Sequence, residues 1–574
     1  MNSAIPRRRL RRNREVMRMR IRGVIGISTG SKSNPGRRPV QAQSMLWRNV
    51  NNTQDTLLYN ARIGSDSNAL LMQGGHITWV GRAGEQGSRC SSTGQPDDAR
   101  ILPRNMGGRR LLPGFHDNHV HALTLGDLAG RPDLTGLDEE AIRRVVREAL
   151  VAEGDTREPF LAFGWDYPGW HYPHRRVLDD ISADRPIALF QFSGHGACVN
   201  TAMLKVLGID ERTPDPAGGV IVRDSDGSPT GVLRDAAANP IHQKRFFRLN
   251  MNRAGLRERF LKAFEIFNRH GITSIGDNTW LVPSVWALNR MRRRGELTCR
   301  VHSWPYGASR IAARTMALAY YDGALLRRGP WKYFLDGAFS THTAWLCEAY
   351  ENDAGNVGTP VLHGDQLSSV LGFLTRRGLS GAFHAIGDRA VKEFLDRSEA
   401  TATADPDRFR LLRHRLEHVQ IVQQTDIPRF AKTGVLVAAQ PHAIGDMEKD
   451  IRLIGETRAR QAYPYRSLLD AGAALSFGSD APAEPTLAPL EGIHKAVNRD
   501  SNERVSVEEA IRCYTEGSAY AEGSEHWKGR LEPGFVADVV ALSKDIYEVP
   551  AEAIRTIKVD ETILNGRVVY SRIS

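Results

Sequence analysis

The chain contains no apolar run approaching the roughly 18 residues that cross a bilayer as a helix, so no membrane partner is expected. It is also poor in cysteine. Cys90, Cys198, Cys299, Cys347 and Cys513 are scattered over 574 residues and never form a CxxC pair. An odd, dispersed set offers neither a disulfide framework nor a thiolate zinc site, and suits a reducing, cytoplasmic setting. Acidic residues are nearly missing from positions 1–50, where twelve Arg and Lys32 face only Glu15. That segment carries +12 of a formal net charge of +11, leaving the other 524 residues at −1. The basicity belongs to a tail, so no nucleic-acid partner is expected for the folded part. The tail reads as a disordered or spurious extension, with a targeting presequence or a functional arm as alternatives. Its apolar stretch, Gly23 to Ile27, is too short for a secretory signal core.

What the sequence does contain is globular in character, with 41% hydrophobic and 25% charged residues. Its length suits one large domain plus a smaller one, or three ordinary domains. TLLYNARI, LLMQGGHITWVG and RRLLPGFHD, from residue 56 onward, read as short strands of a small β domain. One unit then recurs: an amphipathic helix, a glycine, and a short apolar strand. Gly271, Gly378, Gly434 and Gly472 hold the glycine place, before ITSIGD, LSGAFHAIGD, VLVAAQPH and AALSFGSD. Fully apolar strands in repeated αβ units indicate a parallel sheet, open or closed. Residues 138–153 form a further helix, with Ile142, Val145, Val146, Ala149 and Leu150 on one stripe. Residues 160–235, rich in Trp, Pro and Gly, show weak periodicity and read as an insertion. The closing segments GRLEPGFVADVVALSKD and ETILNGRVVY return to strand-like patterns.

The sharpest local signal is FHDNHVHA at 115–122. His119 and His121 stand two apart, so on a strand both imidazoles leave the same face and can share one divalent cation. An HxH pair alone is weak evidence, because it arises by chance. Its weight comes from His384 in GAFHAIGD, His418 in RLEHVQIV and Asp480 in LSFGSDAP, each ending an apolar strand. Polar residues at that end of barrel strands are where catalytic groups sit. A satisfied core histidine or a helix-capping aspartate accounts for any one of these, but not for the set.

In order and context these residues resemble the amidohydrolase superfamily. The finer similarity is to its YtcJ-like group, which includes N-substituted formamide deformylases. The similar segments run from about residue 56 to the end. They include GWDYPGW (164–170), HGACVNTAMLKVLGI (195–209), WKYFLDGAFSTHTA (331–344), HAIGDRAV (384–391), RHRLEHVQ (413–420) and FGSDAPAEP (477–485). The resemblance implies an α/β fold: a (β/α)8 TIM barrel over 113–524 with an insertion at about 130–235. A composite β-sandwich domain would come from 51–112 and 525–574. It further implies that His119 and His121 hold one metal ion and His384 and His418 a second. Lys332, ending the fourth strand, would bridge them once carboxylated, since a free ammonium repels a cation. The alternative pairs Lys332 with Asp336 or another carboxylate and leaves a single ion. Asp480 would ligate the first ion and shuttle the proton. The cofactor expected is zinc, one or two ions per chain.

The reaction implied is hydrolysis of a non-peptide C–N bond in a small-molecule amide or N-substituted formamide by a metal-activated hydroxide. His195 is a candidate for stabilising the oxyanion, a structural hydrogen bond being its other reading. His342 and His442 could line the substrate pocket, and the aromatic cluster at 165–172 could both wall it and pack the insertion. Asp388 and Glu417 suit the orienting of ligands, and His116 reads as incidental. Deamination or cyclic-amide opening would use the same site, and a non-catalytic binding protein on a retained fold is the reading from another class. A homodimer is the assembly to be tested.

Overall fold

The apolar strands of the repeated units lie side by side in one closed barrel. The computed structural model describes residues 54–572 apart from 86–87, 155, 157, 167–168, 192–195, 217–218, 281, 307–322 and 485. The basic tail and His195 therefore lie outside the described residues. The barrel strands are β1 (Phe115–Val120), β2 (Ile272–Trp280), β3 (Arg300–Pro305), β4 (Trp331–Phe334), β5 (Gly381–Ala385), β6 (Arg415–His418), β7 (Leu436–Ala439) and β8 (Leu475–Phe477). Pairing is parallel from β1 to β3 and from β4 to β8. The Tyr306–Lys332 bridge carries β3 on to β4. Closure occurs beyond β8, where the Asp480 amide donates to the His119 carbonyl at 2.7 Å and the His121 amide to the Ala481 carbonyl at 2.8 Å. The two strands that close the barrel thus bring the HxH pair against Asp480.

The glycines of the repeated unit behave as the pattern requires. Gly378 ends the helix Gly364–Arg377 and Gly434 the helix Ile427–Thr433, both in the left-handed region, and β5 and β7 follow within a few residues. A side chain there would be strained, whereas glycine turns the chain freely toward the next strand.

Strands from both ends of the chain make a separate eight-stranded sheet. Arg110–Pro113 pairs antiparallel with Val539–Leu542, which joins the N-terminal hairpins to the C-terminal strands. The sheet encloses a core that includes Leu58, Leu70, Ile77, Leu111, Val539 and Ile563. This is the composite β domain expected above.

The insertion departs from its irregular appearance in sequence. After the helix Glu139–Glu153, five strands between Phe160 and Asp235 form a mixed sheet over their own apolar core. Trp165 and Trp170 are fully buried in it, 5.7 Å apart edge to face. Their indole N–H groups donate to the Leu189 carbonyl and to Glu139. These two rings serve packing rather than a substrate wall. Among the described residues, no helix is long and apolar enough to cross a membrane.

Candidate metal centre

Five of the six candidate ligands lie at, just before or just beyond the C-terminal ends of barrel strands, where barrel geometry places a site; Lys332, expected to end the fourth strand, is instead the second of its four residues. His119 is the penultimate residue of β1 with His121 just beyond the strand, Lys332 lies in β4, His384 is the penultimate residue of β5, His418 ends β6, and Asp480 follows β8. Three of them converge most tightly: ligand atoms of His119, His418 and Asp480 all lie within 4.8 Å of one another. His121 joins them through Nε2, 3.2 Å from Asp480 Oδ1, while His119 Nε2 lies 3.4 Å from the same oxygen. His384 packs against His418 with ring centroids 4.3 Å apart. Lys332 is buried, its Nζ 5.0 Å from the Phe334 ring centre.

The backbone is strained where it presents two of these groups. His418 has φ +76° and Asp480 φ +59°, in the left-handed region that non-glycine residues avoid. Such conformations cost about 1–3 kcal/mol each and persist only where surrounding structure holds them. For Asp480 that hold is the closure hydrogen bond to the His119 carbonyl.

A buried polar network sets the tautomer of His119. Its Nδ1 lies 2.6 Å from Glu417 Oε2, and the other Glu417 oxygen accepts from Arg415 Nε at 2.6 Å. A carboxylate so held only accepts, so Nδ1 carries the proton and the Nε2 lone pair faces the cluster. Arg415 in turn donates to the Asn118 side chain and carbonyl, each at 2.8 Å, and its guanidinium stacks 4.2 Å from the Trp304 ring centre. Asn118 donates to Ser476 on β8. On the other side, His384 Nε2 lies 3.0 Å from the Gly337 carbonyl, so that nitrogen is protonated and the lone pair is on Nδ1.

Burial dominates the electrostatics. It pushes His119 and His418 well below the usual imidazole range, with Lys332 adding to the effect in both, so both rings are neutral. Burial also lowers Lys332 to about 8, against the pull of Glu417 and Asp480. Asp480 goes the other way. Burial alone would raise it, but the hydrogen bond from His121 and the charge of Lys332 hold it below the usual carboxylate range. Its Oδ1 is buried and faces the ring nitrogens of His119 and His121. Neutral imidazole nitrogens and a carboxylate oxygen converging in this way are the donor set of a divalent first-row cation. The residues present therefore fit the metal.

Several sequence readings come out differently. Lys332 does not pair with Asp336, which instead accepts from the Trp345, Ile386 and Gly387 amides. Asp388 binds Gln423 and the Cys347 amide, so it braces loops rather than a ligand. His442 is buried against the Ala488 carbonyl, and His342 pairs with Asp353 at 3.3 Å. His116 is not incidental: it is buried with Lys528, Glu522 and His302 in a polar layer of the barrel. Sequence reasoning missed Arg415, Asn118 and Trp304. Arg415 was accessible in principle, since it lies two before Glu417 on one strand and so shares its face.

Residues 104–570 match the amidohydrolase family. The chain belongs to that family. This amidohydrolase is 29% identical over 504 residues to the putative amidohydrolase YtcJ of Bacillus subtilis (strain 168), an alignment covering 83% of this chain and 92% of YtcJ. It is 28% identical over 560 residues to the N-substituted formamide deformylase of Arthrobacter pascens, covering 90% and 99% of the two chains. A solved structure, that of an uncharacterised metal-dependent hydrolase from Pyrococcus furiosus, superposes with a TM-score of 0.68 at 27% identity over 86% of this chain and 99% of its own. The amidohydrolase described here is accordingly a metal-dependent hydrolase of carbon–nitrogen bonds acting on a small molecule.

Proposed function

We propose that this amidohydrolase cleaves an amide or N-substituted formamide, with Asp480 as proton shuttle. The observation that carries the reading is the Asp480 carboxylate: ionised, strained into place, and with an oxygen turned toward His119 and His121. The similarity to a formamide deformylase along nearly its whole length supports the substrate class.

His119, His121 and Asp480 would hold one zinc ion, and His384 and His418 a second, with carboxylated Lys332 between them. A divalent cation there supplies Lewis acidity, which brings the pKa of water toward about 7 and polarises a carbonyl. Asp480 accepts the proton of the attacking water at its carboxylate and delivers it to the leaving nitrogen. Glu417 keeps the Nδ1 proton on His119 and so fixes the direction of its Nε2 lone pair. Lys332, lowered by burial to about 8, offers an appreciable fraction of neutral amine near neutral pH. That form attacks carbon dioxide and releases one proton on becoming the carbamate.

Turnover of a panel of N-substituted formamides, acyl amides and cyclic imides by the metal-loaded protein tests the reading. Formamides should lead by at least about tenfold in kcat/KM. A panel led by cyclic imides, or by aminated heterocycles added as controls, would overturn the substrate class while leaving the metal site intact.

A further inference from the structure

The helix that follows His121 and the loop that follows Asp480 line a half-open cavity of about 270 Å3. Its walls are chiefly apolar: Leu125 and Leu128 from the helix Ala122–Leu128, Phe163 from the inserted sheet, and Pro482 and Leu487 beyond β8. Most of its polar side chains are already engaged. Arg131 donates to Asp127 and to the Leu161 carbonyl, Asp133 accepts from Thr135, and Thr486 accepts from the Ala488 amide. Glu484 is the exception. Its partly buried side chain lines the cavity yet makes no hydrogen bond or ion pair with a described residue.

A carboxyl group without a protein partner at the wall of a half-open cavity is free to meet a ligand, and such groups concentrate where ligands bind. Burial and the neighbouring charge of Asp480 push Glu484 up to about 7 against the opposing charges of Lys495 and Lys449, and an incoming cation beside it would relieve both effects. The volume is suitable as well: a void of about 150 Å3 admits benzene, so this one can take an alkyl chain of about six carbons. Position completes the case. In the reaction above Asp480 hands its proton to the leaving nitrogen, and the chain enters the cavity wall at Ala481, the very next residue.

We propose that this cavity receives the nitrogen substituent of the substrate and that Glu484 is a specificity-determining residue selecting substituents that end in a primary ammonium. The orientation of the substrate rests on the amide-hydrolysis reading; recognition of the ammonium by Glu484 does not.

Two measurements separate the claims. Calorimetry with hexylamine and hexan-1-ol on the metal-loaded protein and on Glu484→Gln reads recognition without turnover. The wild type should bind the amine at least about tenfold more tightly than the alcohol, as befits a hydrogen bond to a charged group. Glu484→Gln should lose that preference and keep its affinity for the alcohol within about twofold. An equal preference in both proteins, or none in the wild type, overturns the role of Glu484. Turnover of N-(6-aminohexyl)formamide against N-heptylformamide then reads orientation, with a kcat/KM preference for the former that disappears in Glu484→Gln. If neither formamide is hydrolysed while the binding preference still depends on Glu484, the amide reading and the orientation fail and the recognition site stands. If both are hydrolysed equally well by the two proteins, the cavity does not hold the nitrogen substituent.

Discussion

His119 and Glu417 face each other across the barrel at 2.6 Å, Nδ1 to Oε2, with neither side chain reached by solvent. The other Glu417 oxygen is held by Arg415, also fully buried. One carboxylate therefore serves two purposes: it fixes the tautomer of a candidate ligand and neutralises a buried guanidinium.

Glu417→Gln should expose both. The amide can present an N–H where the carboxylate accepted, so His119 loses its fixed tautomer, and metal affinity should fall about 10–100-fold. Stability should fall as well, by about 3–5 kcal/mol, because Arg415 is left buried without its counter-ion. Chelator competition and urea unfolding measure the two. Unchanged metal affinity in a folded variant would show that Glu417 matters only to Arg415.

Asp480→Asn separates binding from proton transfer. Asn retains the shape and one oxygen but cannot take a proton near neutral pH. Proton transfer by a positioned group contributes roughly 10²–10⁴-fold, about 3–5 kcal/mol at about 1.4 kcal/mol per decade. The metal-loaded variant should remain folded and be at least about a hundredfold slower. Because Asp480 is held ionised well below the usual carboxylate range, the deficit of the variant should persist at every pH at which the fold is stable. A metal-loaded Asn protein within a few-fold of wild type, with chemistry rate-limiting, would assign the base elsewhere.

Lys332 predicts a stoichiometry. If it is carboxylated, metal analysis should find two ions per chain, and Lys332→Ala should lose one or both. Short-chain carboxylates should restore part of the activity by occupying the place of the carbamate. Fully active protein holding one ion per chain would sink the bridging role.

The buried layer of His116, His302, Glu522 and Lys528 should make the fold labile to acid. Burial lowers His302 to about 3, so between that value and the ordinary 6.5 the unfolded chain binds a proton that the folded one refuses. Stability therefore falls as pH falls, by about 2 kcal/mol from His302 alone between about pH 8 and pH 5. Glu522, held well below the carboxylate range by Lys528 despite its burial, acts in the same direction once pH drops below the unfolded carboxylate range. His302→Asn should flatten the slope of unfolding free energy against pH relative to wild type. Equal slopes would show that this layer does not set acid sensitivity.

Local chemistry made much of this protein legible in its sequence. The period of two in His119 and His121 places both rings on one strand face, and Gly378 and Gly434 mark helix ends because only they turn left-handed without strain. The apolar runs VLVAA and AALSF read as strands buried on both faces. Only tertiary structure decided what depends on partners far along the chain. Arg415 meets Asn118 across 297 residues, and the closure that sets Asp480 against the HxH pair spans more than 350. The inserted sheet was hidden because its strands mix parallel and antiparallel pairing and lack the helix–glycine–strand repeat that marks the barrel units. The cavity at Glu484 is assembled from a helix, an inserted strand and a loop, and no window of sequence contains all three. Periodicity records which face of one element is buried. What that face meets is settled by packing between elements, to which a local pattern has no access.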